Sequence, residues 1–465
     1  MIRRNSFLSL FNNLPVAGVC NEEIIEIPDP DHVVLPLEYS QRELYIPRVK
    51  IGDHVRQYQI IATNSINVCL HAPISGKVLD IKPVWSEYAR HVPAICIEKG
   101  VGDPLSSDDI FEQYGVSRKG ALPDDQLKAM GIFPPWLPTK QTEPDTNPTP
   151  LDKIKQVVVV GMDEEPSICV QHQLLIRNLD KVSQGFNYLN LLMPKAQQSL
   201  LINRQMLPEI RQALPKSIQL KSISAYYPAR ILDLLIPQLT NIKFDLDRDY
   251  VTQGVMVITV EKLLAMLTAF IDDIPFTHKY LTVSQRDPLF QKTVRIIHGA
   301  SIRSILESLE LDADIPDRII AGGPMKGMAQ FNNLTPMTRS SNGIHLMYGN
   351  EAINNDGSTC INCGRCVRIC PMHLQVHLIA RNVEFECFTE ATAYHPQSCI
   401  ECGLCDYVCP AQRPLVQMVQ LANKYGNQEN EHKPQTACSI ESPLEEWEQH
   451  CATATSVDHS FTAHN

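Results

Sequence analysis

The chain has 465 residues, 44% hydrophobic and 20% charged, an ordinary globular composition with length for several domains. Its net charge of −11 argues against a chain that neutralises phosphates with clustered Lys and Arg, so no nucleic-acid partner is expected. No window approaches the roughly 18 uninterrupted apolar residues of a membrane-spanning helix, and the greasiest stretch, 263–271, is far too short.

In chain order, residues 1–32 read as an N-terminal arm. Its short apolar run is broken by Asn12, Asn13 and Pro15, so a secretory signal is not expected. From 33 to 110 apolar and polar residues alternate between Gly-Asp and Ser-Gly turns, which predicts a small all-β unit. The paired texts KIGDHVRQYQIIA and HAPISGKVLDI resemble the flattened barrel of biotinyl and lipoyl carriers. The turn between the halves carries Asn67, Val68 and Cys69 where a carrier presents a lysine, so the barrel is expected to be structural.

Six prolines between 133 and 150 predict that 111–150 is a Pro-rich linker or loop. Four consecutive valines, Val157 to Val160, followed by Gly161 predict a buried parallel strand. Helical patterns at 167–179, 196–214 and 228–236, interleaved with strand-like text at 188–193 and 218–222, extend it into an α/β domain over 151–278. An α+β insert of β-grasp type is expected at 279–350, with a helix at 302–309, a strand at 318–321 and the glycine turn 322–327. Residues 351–427 form a cysteine module with helices at 380–393 and 415–425. The polar remainder, 428–465, reads as a disordered tail.

Eight of the fifteen cysteines lie in CINCGRCVRICP, starting at Cys360, and CIECGLCDYVCP, starting at Cys399. The other seven are scattered, a usage that fits a reducing compartment. CxxCxxCxxxCP written twice is the signature of two [4Fe-4S] clusters on a ferredoxin-like fold, in which three thiolates of each run hold one cluster and the fourth reaches to the other. Cys360, Cys363, Cys366 and Cys409 are therefore assigned to one cluster, and Cys399, Cys402, Cys405 and Cys370 to its partner. Zinc sites normally use four ligands in two pairs, which does not account for two runs of four.

Minor features have plainer readings. His373 and His377 have helical i, i+4 spacing but no HExxH glutamate, so surface or packing roles are expected. Asp163, Glu164 and Glu165 follow a strand end, where α/β sheets bind ligands, yet acidic loops there are more often solvated turns. The turn 322–327 could seat a phosphate on its amides, although a plain tight turn is the commoner case. Cys169 and Cys387 are read as small apolar residues.

These pieces together resemble the RnfC family, a component of the Rnf (Rsx) electron-transport complex, over about 33–425. The matching texts are ELYIPRVKIGDHV, HAPISGKV, VVVVGMDEEPSICVQHQLL, GASIRSILESL, IIAGGPMKGMA, the double cysteine run and PLVQMVQLANKYG. That resemblance implies a barrel-sandwich domain, an α/β domain related to the flavoprotein of respiratory complex I, an SLBB or β-grasp-like insert and a 2x[4Fe-4S] module. It also implies a peripheral protein on the cytoplasmic side of the inner membrane, docked on integral-membrane and iron-sulfur subunits of an ion-translocating complex, with ferredoxin or NADH as redox partners and FMN as cofactor.

The sequence departs from the family where the flavin and nucleotide would bind. The family's GGAGFPT loop corresponds to Gly131-Ile132-Phe133-Pro134-Pro135-Trp136-Leu137-Pro138-Thr139-Lys140, its acidic loop survives only in part, as Asp163, Glu164, Glu165 and Pro166, and its flavin motif has become Thr259-Val260-Glu261-Lys262. Prolines remove amide donors and tryptophan fills space where glycine would admit a ligand, so neither FMN nor NADH dehydrogenase activity is expected of the chain itself. The expectation is an electron relay. Its rivals are an NADH:acceptor oxidoreductase with FMN in a remodelled loop and a soluble corrinoid-reductase-like partner.

Overall fold

The computed structural model describes residues 23–39, 44–88, 90–138, 150–223, 226–240, 242, 244, 249–286, 289–349 and 358–426. The expected tail, 428–465, and most of the expected arm lie outside them. The chain divides into two compact units, Met1–Asp356 with Ile400–Leu404, and Gly357–Cys399 with Cys405–Asn465.

In the first unit, His32–Pro36, His91–Lys99, Gly76–Trp85 and His54–Val55 pair antiparallel in one sheet, and Tyr45–Pro47, Ile60–Asn64 and Cys69–His71 form a second. Val33, Leu35, Val78, Ile95 and Ile97 are fully buried, the inward half of the alternation. Where a carrier would offer its lysine, Asn64 Oδ1 accepts from the amides of Ile66 (3.2 Å) and Val68 (2.8 Å), and Val68 and Cys69 are buried.

The four-valine segment is a central parallel strand, Gln156–Val160, between Gln197–Asn203 and Val255–Thr259, with Gln219–Ile223 at the edge. Buried side chains on both faces explain its unbroken apolar text. Two expectations fail nearby. Residues 188–193 are not a strand but the end of helix Leu179–Leu192, whose buried Val182, Gly185, Phe186 and Leu189 recur at helical spacing. The helix expected over 196–214 begins instead as the strand Gln197–Asn203, paired on both sides, and only Leu207–Ala213 is α-helical.

The proline-rich stretch is not a bare linker. Helix Ser107–Tyr114 carries a capping box between Ser106 and Asp109, and Pro123–Ala129 starts on proline, where a missing amide costs nothing. Leu127, Met130, Ile132 and Trp136 then join the core beneath the parallel sheet. Only 139–149 of this stretch falls outside the described residues.

A six-stranded mixed sheet follows, ordered Ile25–Glu26, Phe290–Ile297, His278–Gln285, Gly343–Met347, Arg318–Ala321 and Met328–Ala329. The end of the expected arm thus supplies an edge strand. Leu281, Val283, Val294, Ile296 and Ile344 are buried with Ile302, Ile305 and Leu306 of helix Ile302–Ser308.

The second unit is helical. The single helix expected over 380–393 is two, Val376–Glu384 and Phe388–Thr392, separated where Glu386 adopts φ +57°. With Leu415–Gly426 they bury Ile379, Ala380, Val383, Ala391, Val419 and Ala422. The two cysteine runs repeat at an offset of 39 residues, from 360 to 399 and from 370 to 409. Their backbones repeat as well. Asn362 and Glu401, Gly364 and Gly403, and His373 and Gln412 all have positive φ at matching positions, and the following helices begin at Val376 and Leu415, again 39 apart.

Candidate functional site

The first cysteine run turns through left-handed residues Asn362 and Gly364 into helix Arg365–Ile369. A Cβ at Gly364 would meet nothing within 4 Å, so backbone conformation selects glycine here. The turn brings Cys360, Cys363 and Cys366 to one cavity, and Cys409, from the far end of the second run, lines the same cavity. Burial, reinforced by the neighbouring Cys360, Cys409 and Cys363, pushes the Cys366 thiol up from its ordinary range despite an amide bond from Val367. The thiols wall the cavity without converging. Among the described residues, no three His, Cys, Asp or Glu side chains are grouped to hold a single metal ion.

Of the other expected ligands, Cys370 and Cys405 are buried in the second unit's core, and Cys399 packs against it. The Leu374 amide donates to Cys370 Sγ at 3.4 Å, and Cys405 Sγ lies 3.6 Å from Asp406 Oδ1. Cys402, also buried, belongs to the short segment grouped with the first unit.

The two histidines part company. His373 lies outside the helix, exposed, with φ +57°, so it shares no helical face with His377. His377 lines the four-thiol cavity together with Arg413, and its Nδ1 is buried without a hydrogen-bond partner. Spacing along the chain assigned His377 only a surface or packing role and drew no attention to Arg413. The available signal was the repeat itself, because the residues 39 positions away are Val416 and Leu374.

The acidic loop is not a solvated turn. Asp163 is buried and accepts from the amides of Gln171 (3.0 Å) and His172 (3.1 Å), while burial pushes its carboxyl up to about 6. Glu165, also buried, accepts from the amides of Gly323 (3.3 Å), Met325 (3.1 Å) and Lys326 (2.8 Å). Its carboxylate thus occupies the amide nest that turn 322–327 could have offered to a phosphate. A Cβ on Gly323 would lie 2.6 Å from Glu165 Oε2, which is why glycine stands there. Glu164 pairs with Lys326 at 3.2 Å.

The other two departures from the flavin pattern share a cavity of about 270 Å³, lined by Gly131, Phe133, Thr259, Glu261, Lys262 and, from the insert, Lys279 and Arg339. Its charged groups are engaged. Lys279 pairs with Glu261 at 2.5 Å, Arg339 donates to Tyr45 Oη (3.0 Å) and the Gly131 carbonyl (3.2 Å), and Lys262 lies over the Phe133 ring. Trp136 is buried, its indole N–H donating to Asp124 at 2.5 Å.

Comparison with known proteins agrees with these parts. Residues 19–101 match the RnfC barrel sandwich hybrid domain, and residues 352–430 match the 4Fe-4S dicluster domain. The C subunit of the proton-translocating ferredoxin:NAD(+) oxidoreductase complex of Clostridium ljungdahlii is 26% identical over 392 residues, 80% of this chain and 82% of that protein. The C subunit of the Na(+)-translocating ferredoxin:NAD(+) oxidoreductase complex of Acetobacterium woodii is 27% identical over 426 residues, 87% of this chain and 94% of that protein. The C subunit of the ion-translocating oxidoreductase complex of Vibrio cholerae is 26% identical over 78% of this chain but only 49% of its own length. Among solved structures, an air-oxidised NAD+-reducing [NiFe]-hydrogenase covers 71% of this chain and 57% of its own at 14% identity and a TM-score of 0.37, too slight a likeness to establish a shared fold. The likeness to the C subunits thus runs from an RnfC barrel sandwich match at one end to a 4Fe-4S dicluster match at the other, with alignments spanning most of both chains.

Proposed function

We propose that the chain is a peripheral electron-transfer subunit of an Rnf-type membrane complex, relaying electrons through two [4Fe-4S] clusters, with ion movement carried out by partner subunits. The observation that carries this reading is that a thiol of the second run, Cys409, lines one cavity with the first three thiols of the first run. Soft thiolate ligands select iron-sulfur clusters. Cys360, Cys363, Cys366 and Cys409 would hold one cluster, and Cys370, Cys399, Cys402 and Cys405 the other. When bound, such clusters accept and release single electrons. The protein residues position the thiols through the positive φ turns and the helical core beneath them.

The residues do not fit a flavin. Glu165 fills the amide nest, and Trp136 and Ile132 are packed into the core where a glycine loop would admit a ring. The chain on this reading binds neither FMN nor NADH, and its partners are the integral-membrane and iron-sulfur subunits of the complex at the cytoplasmic face of the inner membrane. Among the described residues no helix is long and apolar enough to cross a membrane, so attachment would come from docking on those subunits.

The test is the cofactor content of full-length protein made without oxygen and with cluster-assembly machinery. Roughly eight irons per chain and no releasable flavin are expected for two four-iron clusters. Stoichiometric FMN would favour the NADH:acceptor oxidoreductase, and zinc or no metal would overturn the relay.

A further inference from the structure

The two cysteine runs share spacing, backbone turns and following helices, so two groups held by them would be equivalent unless the surrounding side chains differ. They do differ. Arg413 and His377 line the cavity of Cys360, Cys363, Cys366 and Cys409. At the positions 39 residues away the chain has Leu374 and Val416, and the second set has one neutral backbone donor, the Leu374 amide on Cys370 Sγ at 3.4 Å, and a carboxylate, Asp406 Oδ1, 3.6 Å from Cys405 Sγ.

Potentials of thiolate-held clusters follow local charge, hydrogen bonding to sulfur and exposure. Each added electron adds negative charge, which nearby cations and N–H donors stabilise. The Arg413 side chain is only 2% exposed, so its charge acts through a lower effective dielectric constant than a surface arginine's. Its carboxylate partner, Glu384, is 40% exposed and does not line the cavity, so solvent screens the compensating charge more than the arginine. The buried, unpartnered Nδ1 of His377 needs an explanation, since buried polar atoms are nearly always bonded, and a sulfur acceptor in the cavity would supply one.

We propose that His377 and Arg413 are positioning residues that set the cluster of Cys360, Cys363, Cys366 and Cys409 at a higher reduction potential than the cluster of Cys370, Cys399, Cys402 and Cys405. The inference rests on the relay reading above. It makes the first cluster the site where an electron shared by the pair resides.

The test is an anaerobic redox titration of cluster-loaded, full-length protein followed by electron paramagnetic resonance, with C363S identifying the first cluster's signal. That signal is expected to have the higher midpoint. H377L should lower it by a factor of about ten in the reduction equilibrium, which for one electron is about 59 mV, and leave the other midpoint in place. H377Q, which keeps an N–H donor, should shift it less, and R413K, which keeps the charge, less than R413Q. A lower midpoint for the first cluster, or an H377L protein with both midpoints unmoved, overturns the proposal. Should R413Q fail to load clusters, the His377 pair decides. Wild-type protein with no cluster signal overturns the relay itself, whereas loaded clusters with unmoved midpoints overturn only this inference.

Discussion

Asp163 shows how a single carboxylate can be legible as a residue and misleading as a role. Its place after a strand suggested a ligand loop, but in the fold it serves the amides of Gln171 and His172, and burial holds its pKa near 6, above the ordinary carboxylate range. A folded-state pKa above the unfolded value means that the native state binds the proton more readily. The ionised form therefore costs stability above about pH 6, by ~3 kcal/mol for two pKa units, and the cost disappears as pH falls toward 4. Denaturant midpoints across that range should show wild type gaining on acidification relative to D163N, and parallel curves would contradict the assignment. Half-buried His278, its pKa lowered to about 4, acts with the opposite sign, which is why the comparison must be a difference between proteins.

Glu165 is a second case at this scale. E165A would leave three amides of the 322–327 turn without their acceptor, and a buried unmet donor costs about 1 to 3 kcal/mol. We expect a loss of at least ~2 kcal/mol in urea unfolding, with E165Q intermediate because one oxygen remains. A ligand-binding carboxylate, by contrast, could be removed from the free protein with little loss of stability.

Among the elements, the twin cysteine runs are the most informative. Their periodicity was readable because thiol spacing is local, as was the idea that the fourth cysteine crosses over. The crossing can be tested directly. C370A should disturb the spectrum of the cluster otherwise held by Cys399, Cys402 and Cys405 while sparing the other, and loss of only the first run's signal would show the assignment to be wrong. Helices and strands of the α/β layer were harder to tell apart. The text at 188–193 is apolar enough for a strand, but Phe186 and Leu189 continue a stripe begun at Val182, and only its packing inside a helix reveals the period. The reverse error at 197–203 arose because a strand buried between two neighbours needs no alternation.

On the scale of the whole molecule, the two ends of the chain carry its matches to the RnfC barrel sandwich and 4Fe-4S dicluster domains. If membrane attachment depends on partner subunits, the protein expressed without them should remain in the supernatant after high-speed centrifugation. Expressed with the complex, it should sediment with the membranes. Sedimentation without partners would point to a membrane contact of its own.

Chemistry that depends on local spacing was already written in the primary structure: eight thiols in two runs, a buried valine strand, a barrel with no lysine at its turn. How distant groups are used was settled only by folding. It seated Glu165 in a turn some 160 residues away, packed Trp136 into the core instead of leaving it in a loop, and set His377 and Arg413 in one cavity with Cys360, Cys363, Cys366 and Cys409. Spacing runs along the chain, whereas burial, charge environment and the partner of a carboxylate depend on which remote segments fold against it.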